Sequence, residues 1–233
     1  MTTLEEQNNL FELIGEKLKK SMECFVVGGS AMLYYGAKNL TKDIDAVFNN
    51  KEDRGKFIKI LEDLGFKERQ AKFLYFEKKN VPILMQREND RLDLFYDKII
   101  DMKFTETIKE RAAKVYEYAS LIVKVIAPED IILLKCATER AGDRLDALEL
   151  VKKLNINWEI IINESLNQTK IGGDAYPVLL FDFLSELKED LKADIPNEVI
   201  RRTRKIAEDT IIKKVKDKER IKVKKPKEKT IEK

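Results

Sequence analysis

The hydrophobic pattern becomes almost wholly helical after Ala127, and that change limits the folds open to this chain. Before it, short apolar runs bounded by turn residues alternate with helically spaced segments. After it, apolar residues recur at helical spacing almost to the end. Thr3 and Glu6 have capping-box spacing ahead of Leu10, Phe11, Ile14 and Leu18, so a first helix is expected to about Lys20. Cys24–Val27 reads as a buried strand stopped by Gly28-Gly29. Ser30 is placed to cap a short helix closed by Gly36, and Ile44–Phe48 reads as a second strand. Asn50 caps a helix that Gly65 stops. Runs at Lys72–Phe76, Val81–Met85 and Arg91–Phe95 suggest an antiparallel meander, with polar turns at Lys78-Lys79-Asn80 and Glu88-Asn89-Asp90. Pro82 argues for an edge strand, or for an N–H position that faces away from a partner. Thr105–Ala112 looks helical, and Val115–Tyr118 and Leu121–Ile126 look like strands.

Beyond Ala127, Pro128 suits the first turn of a helix that Gly142 is expected to break, with Asp143 capping the next. Further helices are expected over Trp158–Leu166, from about Asp174 to Leu191, and over Asn197–Lys214. The fold class is therefore α+β: a mixed β-sheet with flanking helices, followed by a mainly helical part. The organisation expected is an α/β core over 1–126, a helical domain over 127–215 and a basic, flexible tail over 216–233.

Composition removes several chemistries. The 233 residues include no histidine, which excludes histidine bases, Ser-His-Asp triads and histidine-bearing zinc sites. Cys24 and Cys136, the two cysteines, lie in apolar segments and fit a reducing, cytoplasmic home. Neither a signal peptide nor an apolar run of membrane-spanning length is visible, so no membrane partner is expected. Charged residues make up 37%, against a usual ~25%, a bias typical of proteins that work hot. The formal charge of +3 hides an asymmetry. Residues 211–233 carry 11 Lys/Arg against 4 Asp/Glu, leaving a near-neutral body and a basic end open to nucleic acid or to solvent alone.

Asp43 and Asp45 stand two apart, so on a strand their carboxylates share a face while Ile44, Ala46 and Phe48 enter the core. Like charges held side by side call for neutralisation, and magnesium prefers such oxygen ligands. Alone, an Asp-x-Asp is more often a solvent-facing pair. Gly28-Gly29-Ser30, between strand and helix, suits close backbone approach to phosphate, or simply a tight turn. Asp93 sits on an apolar β-like run some fifty residues on. Lys135 interrupts Ile131-Ile132-Leu133-Leu134 and Cys136, where a lysine must snorkel, pair or meet an anion.

The order strand, Gly-Gly-Ser, short helix and Thr41-Lys42-Asp43-Ile44-Asp45, with Asp93 later, resembles the signature of the polymerase-β-like nucleotidyltransferases. Pro128-Glu129-Asp130, Lys135 and Glu139-Arg140-Ala141-Gly142-Asp143-Arg144-Leu145-Asp146 resemble uncharacterised prokaryotic and AbiEii-type members, found in abortive infection and toxin–antitoxin systems. Asp143 precedes Arg144 here, whereas the family more often has a basic residue before the aspartate. The resemblance covers about residues 25–151.

It implies a nucleotidyltransferase-type sheet and magnesium-dependent transfer of a nucleotide from a nucleoside triphosphate such as ATP, with pyrophosphate released. Asp43, Asp45 and Asp93 would be catalytic and would hold the metal. Gly28, Gly29, Ser30, Lys42, Lys135 and Arg140 would bind the nucleotide, with Lys38 a further candidate for phosphate charge. RNA, protein and small molecules all stay open as acceptors, and an antitoxin-like protein as a partner. The alternative is a non-catalytic nucleotide- or partner-binding module on the same fold.

Overall fold

The computed structural model describes residues 1–69, 81–138, 140–172 and 175–223. The expected strand Lys72–Phe76, the turn Lys78-Lys79-Asn80, Glu139, Gly173, Asp174 and the last ten residues lie outside the described residues.

In chain order the elements are α1 (Leu4–Lys17), β1 (Met22–Val27), α2 (Gly28–Tyr34), β2 (Ile44–Phe48), α3 (Lys51–Asp63), β3 (Lys67–Arg69), β4 (Ile83–Arg87), β5 (Asp90–Tyr96), β6 (Lys98–Ile99), β7 (Met102–Lys103), α4 (Glu106–Arg111), β8 (Lys114–Tyr118) and β9 (Leu121–Val125). Then come α5 (Pro128–Cys136), α6 (Ala141–Lys153), α7 (Trp158–Gly172), α8 (Tyr176–Glu189) and α9 (Asn197–Val223). The architecture is α+β, with a central mixed sheet ordered β3-β4-β5-β2-β1-β9-β8 and a helical C-terminal part. β2 pairs with β5, and β1 with β9, in parallel; the other neighbours along that path run antiparallel. The small β6–β7 hairpin branches from β5 and was not foreseen.

Caps behave as their residues require. Thr3 and Glu6 close a full capping box, and the Asn50 and Thr105 side chains accept the Asp53 and Ile108 N–H groups. Alternation sorts the sheet faces. The face carrying Phe48 packs on α3, with the Phe48 and Phe57 ring centroids 5.0 Å apart in an edge contact. The other face carries Asp45 on β2 and Asp93 on β5, which are direct register partners.

Four expectations need correction. β4 lies inside the sheet between β3 and β5, and Pro82 precedes its first residue, so the proline removes no ladder hydrogen bond. Ser30 does not cap α2: Val27 holds that position, and Ser30 lies inside the helix. α5 ends at Cys136, ahead of Gly142, and Asp143 sits within the first turn of α6 rather than capping it. α9 runs to Val223, into the segment expected to form the tail.

The helical part is tied to the sheet by a buried polar cluster. Arg111 of α4 grips Asp130 of α5 through Nη2–Oδ1 at 2.6 Å and Nε–Oδ2 at 3.0 Å, and reaches Glu164 of α7 at 2.9 Å. The Thr105 and Thr107 hydroxyls also donate to Glu164. One apolar core runs without a break from Phe11 and Phe25 to Ile161 and Leu184.

Candidate active site

A cleft of about 500 Å³ opens where the β1–α2 turn, the start of β2 and the α5–α6 corner meet. It is built on a glycine turn that no other residue type would leave open. Gly28 has φ +60°, and a Cβ there would stand 2.7 Å from Asp45 Oδ2; one at Gly29 would stand 2.6 Å from Thr41 Oγ1. The backbone therefore passes directly against the carboxylate and the loop that precedes β2. That loop is braced from below: Thr2 and Thr41 exchange backbone hydrogen bonds of 2.7 and 2.9 Å.

Asp43 and Asp45 both line the cleft. Burial, then the neighbouring Asp43 and Asp93 charges, push Asp45 well above the ordinary carboxylate range. Asp43 is also raised, by burial and by Asp93, against the pull of Arg91, Arg140 and Lys135. Asp93 stands beside Asp45 in register but is fully buried and does not line the cleft. Both its oxygens are held by Arg91, Nε–Oδ1 at 2.8 Å and Nη2–Oδ2 at 2.6 Å, and the same Nη2 lies 3.4 Å from Asp43 Oδ2. Asp93, expected to complete a three-carboxylate metal site, is paired with Arg91 and stands outside the cleft lining. Among the described residues, no three of Asp, Glu and Cys are arranged to hold a metal ion.

The nucleotide candidates divide in the same way. Gly28, Gly29, Lys42, Lys135 and Arg140 all line the cleft. Ser30 does not. It is fully buried, its hydroxyl donating to the Asp43 carbonyl at 3.0 Å and accepting the Asp45 N–H at 2.9 Å. Its work is to fix the backbone of both aspartates, not to reach a phosphate.

Lys135 is buried and paired within the protein. Its Nζ donates to Asp143 Oδ1 at 2.5 Å and to Asp146 Oδ2 at 2.6 Å. Burial pulls the ammonium down, but Asp146 and Asp143 outweigh it and hold Lys135 above its ordinary value. Lys38 grips both oxygens of Asp146 at 2.7 and 2.8 Å, and the two lysines together hold Asp146 below the usual range despite its burial. Lys42 and Arg140 make no ion pair among the described residues, though the Arg140 charge bears on Asp43. Arg91 and Asp146 were quoted in the motifs without a role, and Asp143 only as a helix cap. For Arg91 the signal was present, since it lies two residues before Asp93 on one strand face.

Residues 3–172 match the family model described as "Nucleotidyltransferase of unknown function (DUF6036)". The chain belongs to this family. It is a nucleotidyltransferase, and the matched segment takes in the sheet, the cleft and the helices to α7. The AbiEii-type subfamily has no such support. Two solved structures are similar. One is ANT(2")-Ia in complex with adenylyl-2"-tobramycin, at 18% identity and TM-score 0.40, covering 77% of this chain and 98% of that one. The other is an antigenic nucleotidyltransferase-like protein from Paracoccidioides brasiliensis, at 15% identity and TM-score 0.39, covering 85% and 97%. No curated protein matches the chain. Among the described residues, no helix is long and apolar enough to cross a membrane.

Nucleotidyltransferases as a class use divalent metals, and the donor set fits such an ion in one place. Asp43 and Asp45 offer hard oxygen ligands beside a glycine cradle that a Cβ would fill. Magnesium characteristically takes one or two carboxylates together with substrate phosphates.

Proposed function

We propose that this chain transfers a nucleoside monophosphate from a nucleoside triphosphate to an acceptor hydroxyl, with Asp43, Asp45 and the Gly28-Gly29 turn as the centre of the site. The observation that carries this reading is the close approach of Gly28 to the Asp45 carboxylate inside a cleft that also presents Lys42 and Arg140. The acceptor oxygen bonds to the α-phosphorus, the bond to the β-phosphate oxygen breaks, and pyrophosphate leaves. The hydroxyl's proton passes to a carboxylate of the aspartate cluster.

Asp43 and Asp45 would hold magnesium, which supplies Lewis acidity at the phosphoryl oxygens. The chain's own residues do the rest. Gly28 and Gly29 let the backbone approach the phosphates, while Ser30 locks both aspartates to the β1–α2 turn. Lys42 and Arg140 meet the triphosphate charge. Lys135, with three donors and two of them spent on Asp143 and Asp146, has one left for the ligand. Two buried free cysteines suit a reducing compartment, and we place the protein in the cytoplasm on that ground.

The test is incubation with each labelled NTP, magnesium and a lysate containing RNA, protein and small-molecule acceptors. Label should enter one acceptor class with the wild type and none with Asp45→Ala. Identical labelling by both proteins refutes the proposal. A toxin–antitoxin setting belongs to this reading only if expression arrests growth and Asp45→Ala abolishes the arrest.

A further inference from the structure

Resting on that reading, we infer that Arg91 takes the place of a second metal ion: this site seats one divalent cation, on Asp43 and Asp45, and uses a guanidinium as its other positive charge. The sequence Arg91-Leu92-Asp93 lies in β5. Alternation puts Arg91 and Asp93 on one face of β5, and the register sets Asp93 directly beside Asp45. Three carboxylates thus meet at one end of two neighbouring strands.

A planar fork on the same strand reaches the buried member with both prongs, at 2.8 and 2.6 Å. Its Nη2 also stands 3.4 Å from Asp43. The guanidinium therefore already bridges two of the three carboxylates a second ion would need. An arginine does not lose its proton, so this charge is permanent at any working pH.

Displacement is costly for two reasons. A second ion must break two charge-assisted hydrogen bonds at once. It must also leave the guanidinium to find new partners from a side chain only 26% exposed. Asp93 then acts through Arg91, as the anchor of a fixed cation, and Arg91 is a positioning residue rather than a catalytic one.

The test counts ions rather than turnover. Wild-type protein with one equivalent of a non-hydrolysable NTP analogue is titrated with Mn²⁺, and free Mn²⁺ is read by electron paramagnetic resonance. One bound ion per chain is expected for the wild type, and two for Arg91→Met, which removes the guanidinium fork from Asp93. Arg91→Lys, which keeps the charge without the fork, should bind a second ion weakly. Two ions in the wild type, or one ion in a folded Arg91→Met protein, overturn the inference. If Arg91→Met fails to fold, the wild-type count and Arg91→Lys decide it alone. No nucleotide-dependent ion in the wild type defeats the transfer reading itself, a result distinct from a count of two.

Discussion

Replacing Gly28 with alanine should injure the site more than the fold. The residue sits at φ +60°, a left-handed conformation in which an L side chain costs about 1–2 kcal/mol. For a domain of this size that lowers the melting temperature by roughly 2–8 °C. The new Cβ would also stand 2.7 Å from Asp45 Oδ2, about 0.7 Å short of an ordinary contact at 3.4 Å. The atom in the way is the end of a side chain, so relief comes from moving the carboxylate. A displacement on the order of 1 Å at a reacting centre is worth about 10²-fold in rate. Transfer of labelled nucleotide by Gly28→Ala should accordingly fall between about ten- and a hundredfold, with a folded protein by circular dichroism. Gly55→Ala is the control: nothing lies within 4 Å of its Cβ position in the interior of α3, so it should gain up to about 1 kcal/mol and keep full activity. Gly28→Ala with transfer within twofold of wild type refutes the placement of the site at this turn.

Three further substitutions probe the surrounding structure. Ser30→Ala leaves the buried Asp45 N–H and Asp43 carbonyl without their shared partner, so chemical denaturation should show a loss of about 1–3 kcal/mol; an unchanged midpoint counts against the hydroxyl as the lock. Lys135→Met takes the ammonium from buried Asp143, while Asp146 keeps Lys38, and should cost about 3 kcal/mol, partly recovered by adding Asp143→Asn; a loss below about 1 kcal/mol means the Lys135–Asp143 pair is not buried as described. Asp130 is pushed up to about 6 by burial, against the pull of Arg111. Because the folded state holds the proton more tightly, its contribution favours folding below the unfolded value near pH 4 and is lost as pH rises through about 6. Asp130→Asn should remove that component, so equal slopes of unfolding free energy against pH 4–7 in the two proteins contradict it.

What the sequence made legible follows from how far each physical rule reaches. Alternation, a rule of nearest neighbours, put Asp43 and Asp45 on one face and Asp93 among apolar residues. Caps at Thr3 and Asn50 were readable because side chain and N–H lie three residues apart. The parallel pairing of β2 with β5 was not readable, since α3, β3 and β4 lie between them in the chain. Without that pairing, Arg91 could be set beside Asp93 on its own strand but not beside Asp43. Ser30 was misread for a related reason: its hydroxyl serves a strand thirteen residues on, not its own helix.

Lys135 marks the boundary most clearly. An interrupting lysine on an apolar helix demanded a counter-charge, and that demand was visible in the sequence. Its source was not, because a helix break expected at Gly142 places Asp143 outside the partner helix, whereas α6 begins at Ala141. With the break moved forward, Asp143 and Asp146 fall three apart on one face of α6, and both reach Lys135. Lys38, from the loop beyond α2, then closes on Asp146 from the other side of the cleft. The α5–α6 corner and the loop before β2 are thus joined through one carboxylate.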